Sequence, residues 1–189
     1  MMLTHCKVGE NSSVEILSTS EDFMKRIFIT CGNNSKIKIY GIKFLNSSLR
    51  IHLGDDAELS IGPNQLMHGN ISIFAHEKSK ISIGENCLWS DVEIWSSDMH
   101  AIVDLESNER INYAQDITIG KQVWFGSNSL ILKGSVVHDG CIIGARSVVT
   151  KSTVGCLNCI IAGSPARIVR SNVTWKPWSI INYVLSQLL

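Results

Sequence analysis

The sequence lacks any run of eighteen apolar residues, so it predicts no transmembrane helix. It also lacks an excess of charge of one sign, because Lys+Arg and Asp+Glu both number 17 among its 189 residues, and this balance argues against nucleic acid as a partner. The first ten residues have no continuous apolar stretch of the kind that a signal peptide needs. We therefore predict a cytoplasmic protein that keeps its thiols reduced.

Cysteine pairs with metal-ligand spacing are scarce. Six cysteines are present, and of these only Cys156 and Cys159 form a Cys-x-x-Cys pair, which suggests zinc or redox chemistry. No second pair follows at ligand spacing, and no histidine lies downstream. We interpret this pair as structural and predict no metal site.

A period of six residues runs through the second half of the chain. Ile83, Trp89 and Trp95 show this spacing, and 24 residues, a multiple of six, separate Trp95 from Ile119. From there, every sixth residue is again aliphatic or aromatic: Ile119, Phe125, Ile131, Val137, Ile143 and Val149. We therefore expect the repeat to resume in phase after a loop of about residues 96–116.

A six-residue period fits neither an α-helix nor a simple alternating strand, but it suits a three-sided solenoid built from short strands. Glycines such as Gly120, Gly126 and Gly144 suit tight corners, where little bulk is tolerated and glycine adopts positive φ at least cost. We predict an all-β solenoid, a parallel β-helix over residues 1–170 with irregular early coils. A helical extension is predicted for residues 171–189, ending in a short amphipathic helix.

Several motifs occur in the order known from one enzyme family. They are Val123-Trp-Phe-Gly126, Gly144-Ala-Arg-Ser-Val-Val149 and Gly163-Ser-Pro-Ala-Arg167, preceded by a loop histidine, His100. With these motifs, about residues 80–170 resemble the hexapeptide-repeat O-acetyltransferases. The resemblance is greatest to bacterial enzymes that acetylate sugar hydroxyls of capsules, sialic-acid capsules included, or of lipopolysaccharide.

This resemblance implies a left-handed β-helix and a homotrimer in which acetyl-CoA lies in the groove between two subunits, with a saccharide as acceptor. It places Trp124 beside the thioester. One departure is Ser164, where the family usually has asparagine. From its position, Asn112 is predicted to belong to the acceptor pocket. The resemblance also marks backbone amides along the groove and residues near the CoA phosphates and adenine: Gly126, Ser127, Gly144, Ala145, Lys151, Pro165, Arg167 and Arg170.

His100 is the predicted catalytic base. Acetyl transfer from a thioester to an alcohol needs a group that takes the hydroxyl proton, and the pKa of histidine lies close to the working pH. His100 falls in the predicted loop and matches the family's catalytic histidine. Asp98 or Asp104 would hold the other imidazole nitrogen and fix its tautomer, and the sequence does not choose between them.

Other functions of this fold fit the sequence less well. A carbonic-anhydrase-like hydratase would need two zinc-binding histidines five residues apart, and no such pair occurs. A non-catalytic solenoid, such as an ice-binding protein, would show outward ladders of one residue type, whereas the outward positions here are mixed. Two alternatives stay open: an acyltransferase that takes longer chains from acyl carrier protein, and an acetyltransferase for a small-molecule acceptor.

Overall fold

The computed structural model describes residues 5–17, 25–153 and 155–177, without the side chains of residues 44–46. All regular secondary structure in these ranges is β-strand. The strands are β1 (Cys6–Lys7), β2 (Ser13–Leu17), β3 (Ile27–Cys31), β4 (Lys36–Tyr40), β5 (Ile42–Leu53), β6 (Glu58–Ile61), β7 (Gln65–Ala75), β8 (Lys80–Ile83), β9 (Leu88–Trp95), β10 (Ile117–Ile119), β11 (Trp124–Phe125), β12 (Ser129–Leu132), β13 (Val136–Val137), β14 (Ile142–Ile143), β15 (Val148–Val149), β16 (Cys159–Gly163) and β17 (Ala166–Ser171).

The strands form three faces of a solenoid of about seven turns. The first face consists of β2, β4, β6, β8, β10 and β13, all paired in parallel. The second face consists of β11, β14, β16 and the first halves of β5, β7 and β9. The third face consists of β1, β3, β12, β15 and the second halves of those three strands. The long strands therefore continue around the corner between the second and third faces.

The six-residue period correctly identifies the residues that fill the late coils. All six predicted positions from Ile119 to Val149 are buried. One coil earlier, Trp89 is fully buried and stacks on Phe125, with ring centroids 4.3 Å apart. Its indole Nε1 donates a hydrogen bond of 2.8 Å to Oε1 of Gln65, so the one polar atom of this large core residue is satisfied.

The prediction is wrong for Trp95, which projects outward and stacks on Phe74 with ring centroids 3.9 Å apart. Its neighbour Ile94 is buried instead and lies beneath Ile131 of the next coil. The inward positions 89 and 94 are five residues apart, because β9 turns the corner as one continuous strand. The count of six therefore slips by one residue at this corner.

The early coils are longer than the late ones. Ile29 pairs with Ile51, so one early coil contains 22 residues. Phe125 pairs with Ile143, so one late coil contains 18 residues, which is three times six. The four additional residues take the early coils out of a six-residue count, and this explains why their repeat is hard to recognise in the sequence.

Glycine occurs at the corners because the coils approach each other closely. A Cβ on Gly126 would lie 2.6 Å from the backbone nitrogen of Ala145 in the next coil. The predicted need for little bulk is therefore confirmed. The predicted use of positive φ is wrong for this glycine, because positive φ falls two residues later, at Asn128 (57°) and, one coil on, at Arg146 (56°).

The last strand, β17, folds back antiparallel onto β16 instead of continuing the parallel repeat. Residues 172–177 then run back beside the late coils, and Trp175 Nε1 donates to the carbonyl oxygen of Gln122 at 2.8 Å. These six residues contain no helix. The predicted amphipathic helix, which begins at residue 179, lies outside the described residues.

Candidate active site

A loop leaves the solenoid between β9 and β10, where the third face meets the first. It covers residues 96–116, as predicted, and an antiparallel bridge between Val103 and Arg110 joins its two arms. Residues 133–135 and 150–153 turn the same corner in the following coils. We call this edge, with the loop that leaves it, the loop corner.

The side chain of Asn112 is buried inside the loop. Its Nδ2 donates to the carbonyl oxygen of His100 at 2.8 Å and to Oδ2 of Asp98 at 2.7 Å. Its Oδ1 accepts from the backbone nitrogen of Ile102 at 2.6 Å and from Nε of Arg110 at 3.2 Å. These four bonds use both donors and both lone pairs of the amide. The geometry therefore gives Asn112 a place within the loop and does not support its predicted place in an acceptor pocket.

Arg110 anchors the loop to the coil below. Its Nη1 lies 2.7 Å from Oε2 of Glu77, and its Nη2 donates to Oε1 of the same carboxylate at 2.9 Å. Ser97 Oγ donates to that Oε1 as well, at 2.5 Å. The guanidinium, followed by the hydroxyl of Ser97, lowers the pKa of Glu77 to about 2. This ion pair is therefore fully formed at neutral pH.

Lys133 anchors the loop to the coil above. Its Nζ pairs with Oδ2 of Asp98 and donates to the carbonyl oxygen of Asn112 at 3.2 Å. The ammonium, assisted by the amide of Asn112, lowers the pKa of Asp98 below its ordinary value. The base of the loop is thus held between two ion pairs, one on each neighbouring coil.

His100 has an exposed side chain and a restrained backbone. Within the described part of the chain, its imidazole makes no hydrogen bond. Asp98 faces Lys133, while Asp104 accepts from the backbone nitrogen of Ser107 at 2.8 Å, and the bonds from Ser107 lower its pKa. Inside one chain, neither of these aspartates holds the histidine ring.

Trp124 projects outward from the second face and is 38% exposed. The centroid of its ring lies 6.1 Å from that of Trp175. Where the second face meets the third, residues 126–128 and 144–147 turn the corner in two successive coils. This edge, which we call the groove corner, carries four of the residues predicted to bind CoA: Gly126, Ser127, Gly144 and Ala145.

The basic residues predicted to meet CoA lie in the last two coils, but at different places. Lys151 is at the loop corner, where its side chain packs against Gly134. Arg167 and Arg170 are exposed on β17, which follows the turn that contains Pro165. Among the described residues, no carboxylate forms an ion pair with any of these three cations. They are therefore available to an anion.

The predicted site residues form two groups on opposite sides of the solenoid. His100 and Lys151 lie at the loop corner, whereas Trp124 and the groove corner lie on and beside the second face. In a three-sided solenoid, the corner between the first and third faces is opposite the second face. A single chain therefore does not bring His100 and Trp124 together.

Sequence reasoning missed the residues that anchor the loop. Glu77 precedes Arg110 by 33 residues, and Lys133 follows Asp98 by 35. No local spacing connects such partners, because they meet only through the stacking of coils. The usable signal was the coil register, which places residues 77 and 133 at the corner immediately below and above the loop.

The remaining thiols show no ligand geometry. Cys159 is buried, with its Sγ 3.6 Å from Sγ of Cys141 and 3.0 Å from the carbonyl oxygen of Cys156. All six cysteines are free. Nowhere in the described ranges do three or more His, Cys, Asp or Glu residues come together as metal ligands. Nor do those ranges contain a helix with the length and hydropathy to cross a membrane.

The parallel coils and the inserted histidine loop define a hexapeptide-repeat transferase with a left-handed β-helix. The family model described as bacterial transferase hexapeptide (six repeats) matches residues 116–151. The chain is 36% identical to the polysialic acid O-acetyltransferase of Neisseria meningitidis over 188 residues, which cover 88% of this chain and 86% of that one. It belongs to the hexapeptide-repeat O-acetyltransferases and is an acyltransferase.

Two further comparisons agree with this assignment. The polysialic acid O-acetyltransferase of Escherichia coli O1:K1 / APEC is 42% identical over 100 residues, which are 52% of this chain but only 32% of that longer protein. The crystal structure of the polysialic acid O-acetyltransferase OatWY matches with a TM-score of 0.73 at 29% identity, covering 98% of this chain and all of that one. The predicted family, fold class and enzyme class are thereby confirmed.

Proposed function

We propose that this chain transfers the acetyl group of acetyl-CoA to a sugar hydroxyl of a bacterial surface polysaccharide, with a sialic acid polymer as acceptor and His100 as general base. Two relatives and one solved structure are named for polysialic acid, and the identity of 36% over 88% of the chain supports this acceptor class. The observation that carries the proposal is an exposed imidazole on a loop fixed to both neighbouring coils.

The reaction needs one proton acceptor that later becomes a donor. One imidazole nitrogen of His100 takes the proton of the sugar hydroxyl while the oxygen attacks the thioester carbon. The C–S bond then breaks, and the imidazolium gives its proton to the departing thiolate. The products are the O-acetyl sugar and free CoA, so no further reactant is needed. The exposed position of the ring allows both substrates to reach it.

The two groups of site residues support a site completed by a second copy of the chain. His100 at the loop corner of one copy would meet Trp124 and the groove corner of its neighbour. A closed ring of three copies would then contain three equivalent sites. We therefore propose a homotrimer of the acyltransferase domain, residues 1–170, in the cytoplasm.

The surfaces of the faces support this assembly. The first face presents charged side chains in ion pairs, including Glu58, which lies between Lys36 and Lys80. The third face instead presents aromatic and aliphatic side chains outward: the stacked rings of Phe74 and Trp95, and above them Leu130, Leu132 and Val148. Apolar surface of this kind favours contact between copies, whereas the first face suits solvent.

The CoA moiety would follow the groove corner. The backbone amides of Ser127 and Ala145 are candidate donors to the developing oxyanion. Trp124 would pack against the pantetheine arm and keep water from the thioester. Arg167 and Arg170, which have no carboxylate partner among the described residues, would neutralise the phosphates.

The proposal is tested by thiol release from acetyl-CoA with a panel of acceptors: sialic acid polymers, neutral oligosaccharides and a simple galactoside. We expect release that depends on the sialic acid polymer, and about a 100-fold or greater loss in His100→Ala. The matched control is His138→Ala, because His138 is also exposed but lies in a turn away from the loop. Release with the galactoside alone would reassign the acceptor, and full activity in His100→Ala would remove the proposed base.

A further inference from the structure

We infer that Asn112 is a positioning residue for His100, oriented by the Glu77–Arg110 ion pair on one side and the Asp98–Lys133 ion pair on the other. This inference rests on the proposed role of His100. It assigns to Asn112 a part in the reaction that acts through the loop backbone, without contact to either substrate.

The orientation of the amide is fixed by two charges of opposite sign. The oxygen side of Asn112 faces the N–H groups of Arg110 and Ile102, while the nitrogen side faces the carboxylate of Asp98 and the carbonyl of His100. A flipped amide would place N–H against a guanidinium and oxygen against a carboxylate. Each charge is itself held by a partner from a coil, so the amide has one favourable orientation.

The backbone at His100 needs such a restraint. The preceding residue, Met99, has a φ of 63°, which is unfavourable for a residue with a side chain. Ser97 Oγ accepts from the nitrogen of Met99 at 3.1 Å, and Asn112 donates to the carbonyl oxygen of His100. These two bonds enclose the strained turn and therefore fix the direction in which the imidazole leaves the loop.

The inference is tested with Asn112→Asp, which keeps the shape of the side chain but replaces its donor with a carboxylate oxygen beside Asp98 and the carbonyl of His100. We expect kcat to fall about 100-fold, because displacement of a reacting group by about 1 Å has an effect of this size. The KM for acetyl-CoA is expected to stay within about twofold, since Asn112 does not touch that substrate. Asn108→Asp is the matched control, because it makes the same change on an exposed residue of the same loop.

A second measurement separates positioning from a general effect on folding. In Asn112→Ala combined with His100→Ala, the loss of kcat should equal that of His100→Ala alone, because a positioning residue has no effect once its target is gone. A loss that multiplies in the double variant would overturn the inference, and so would full activity in both Asn112 variants while His100→Ala is inactive. If His100→Ala itself kept full activity, the proposed function would fail as well.

Discussion

Arg110 and Glu77 form a two-point ion pair that fastens the protruding loop to the coil below it, with N–O distances of 2.7 and 2.9 Å. Because the pKa of Glu77 is lowered to about 2 from an ordinary 4.5, its contribution to stability is present above pH 4.5 and is lost as the pH falls through about 2. About a third of the side chain is exposed, so solvent screening limits the effect. We expect Glu77→Gln to lower the thermal midpoint by about 2–4 °C at pH 7.

This difference should shrink as the pH is lowered from 4.5 toward 2, because the wild-type carboxylate becomes protonated there. Thermal unfolding of both proteins across this range is the measurement. Glu109→Gln, an exposed change on the same loop, should show no such pH dependence. A difference that stays constant from pH 7 to pH 2 would contradict the assigned ion pair.

The glycines of the corners make a second prediction. In Gly84→Ala, the added Cβ would lie 2.6 Å from the backbone carbon of Gly120 and the nitrogen of Lys121, and backbone atoms cannot move aside cheaply. We expect a loss of about 1–3 kcal/mol in the free energy of unfolding, measured in urea. In Gly41→Ala the added Cβ meets nothing within 4 Å, so this control should leave stability unchanged or slightly raised. Equal stability of the two variants would argue against close stacking of the coils.

The late coils were predictable because an 18-residue turn keeps each inward residue in a count of six. The resumption of the period at Ile119 was enough to locate the loop. The early coils were less accessible, since their 22-residue turns hide the period, and Trp95 was misplaced because β9 turns its corner without the expected residue.

The candidate site was predictable only where one residue carries the signal. His100 and Trp124 were recognised from motifs that are local in sequence. The anchoring of the loop was not, because Glu77 and Lys133 approach it from other coils. Likewise, only the arrangement of the three faces shows that the loop corner and the second face are opposite each other.

The buried thiols give a further prediction. Burial raises the pKa of Cys87 and of Cys159 to about 12 and that of Cys31 to about 11, which suppresses the reactive thiolate. Cys6 is exposed, and its pKa is raised without reaching such values. With a thiol-specific disulfide reagent, we expect Cys6 to react first in the folded protein and the buried thiols to react only on unfolding. Rapid modification of Cys159 in the folded state would contradict its place in the core.

A site shared between copies is tested most directly by combining two inactive variants in one assembly. His100→Ala removes the base, and Ala145→Trp fills the groove corner at an exposed position. Co-expressed in equal amounts, the two chains should recover about a quarter of wild-type activity, because random assembly of a ring pairs an intact loop with an intact groove at about one interface in four. If the mixed assemblies remain as inactive as each variant alone, His100 and the groove corner do not form one site across two copies.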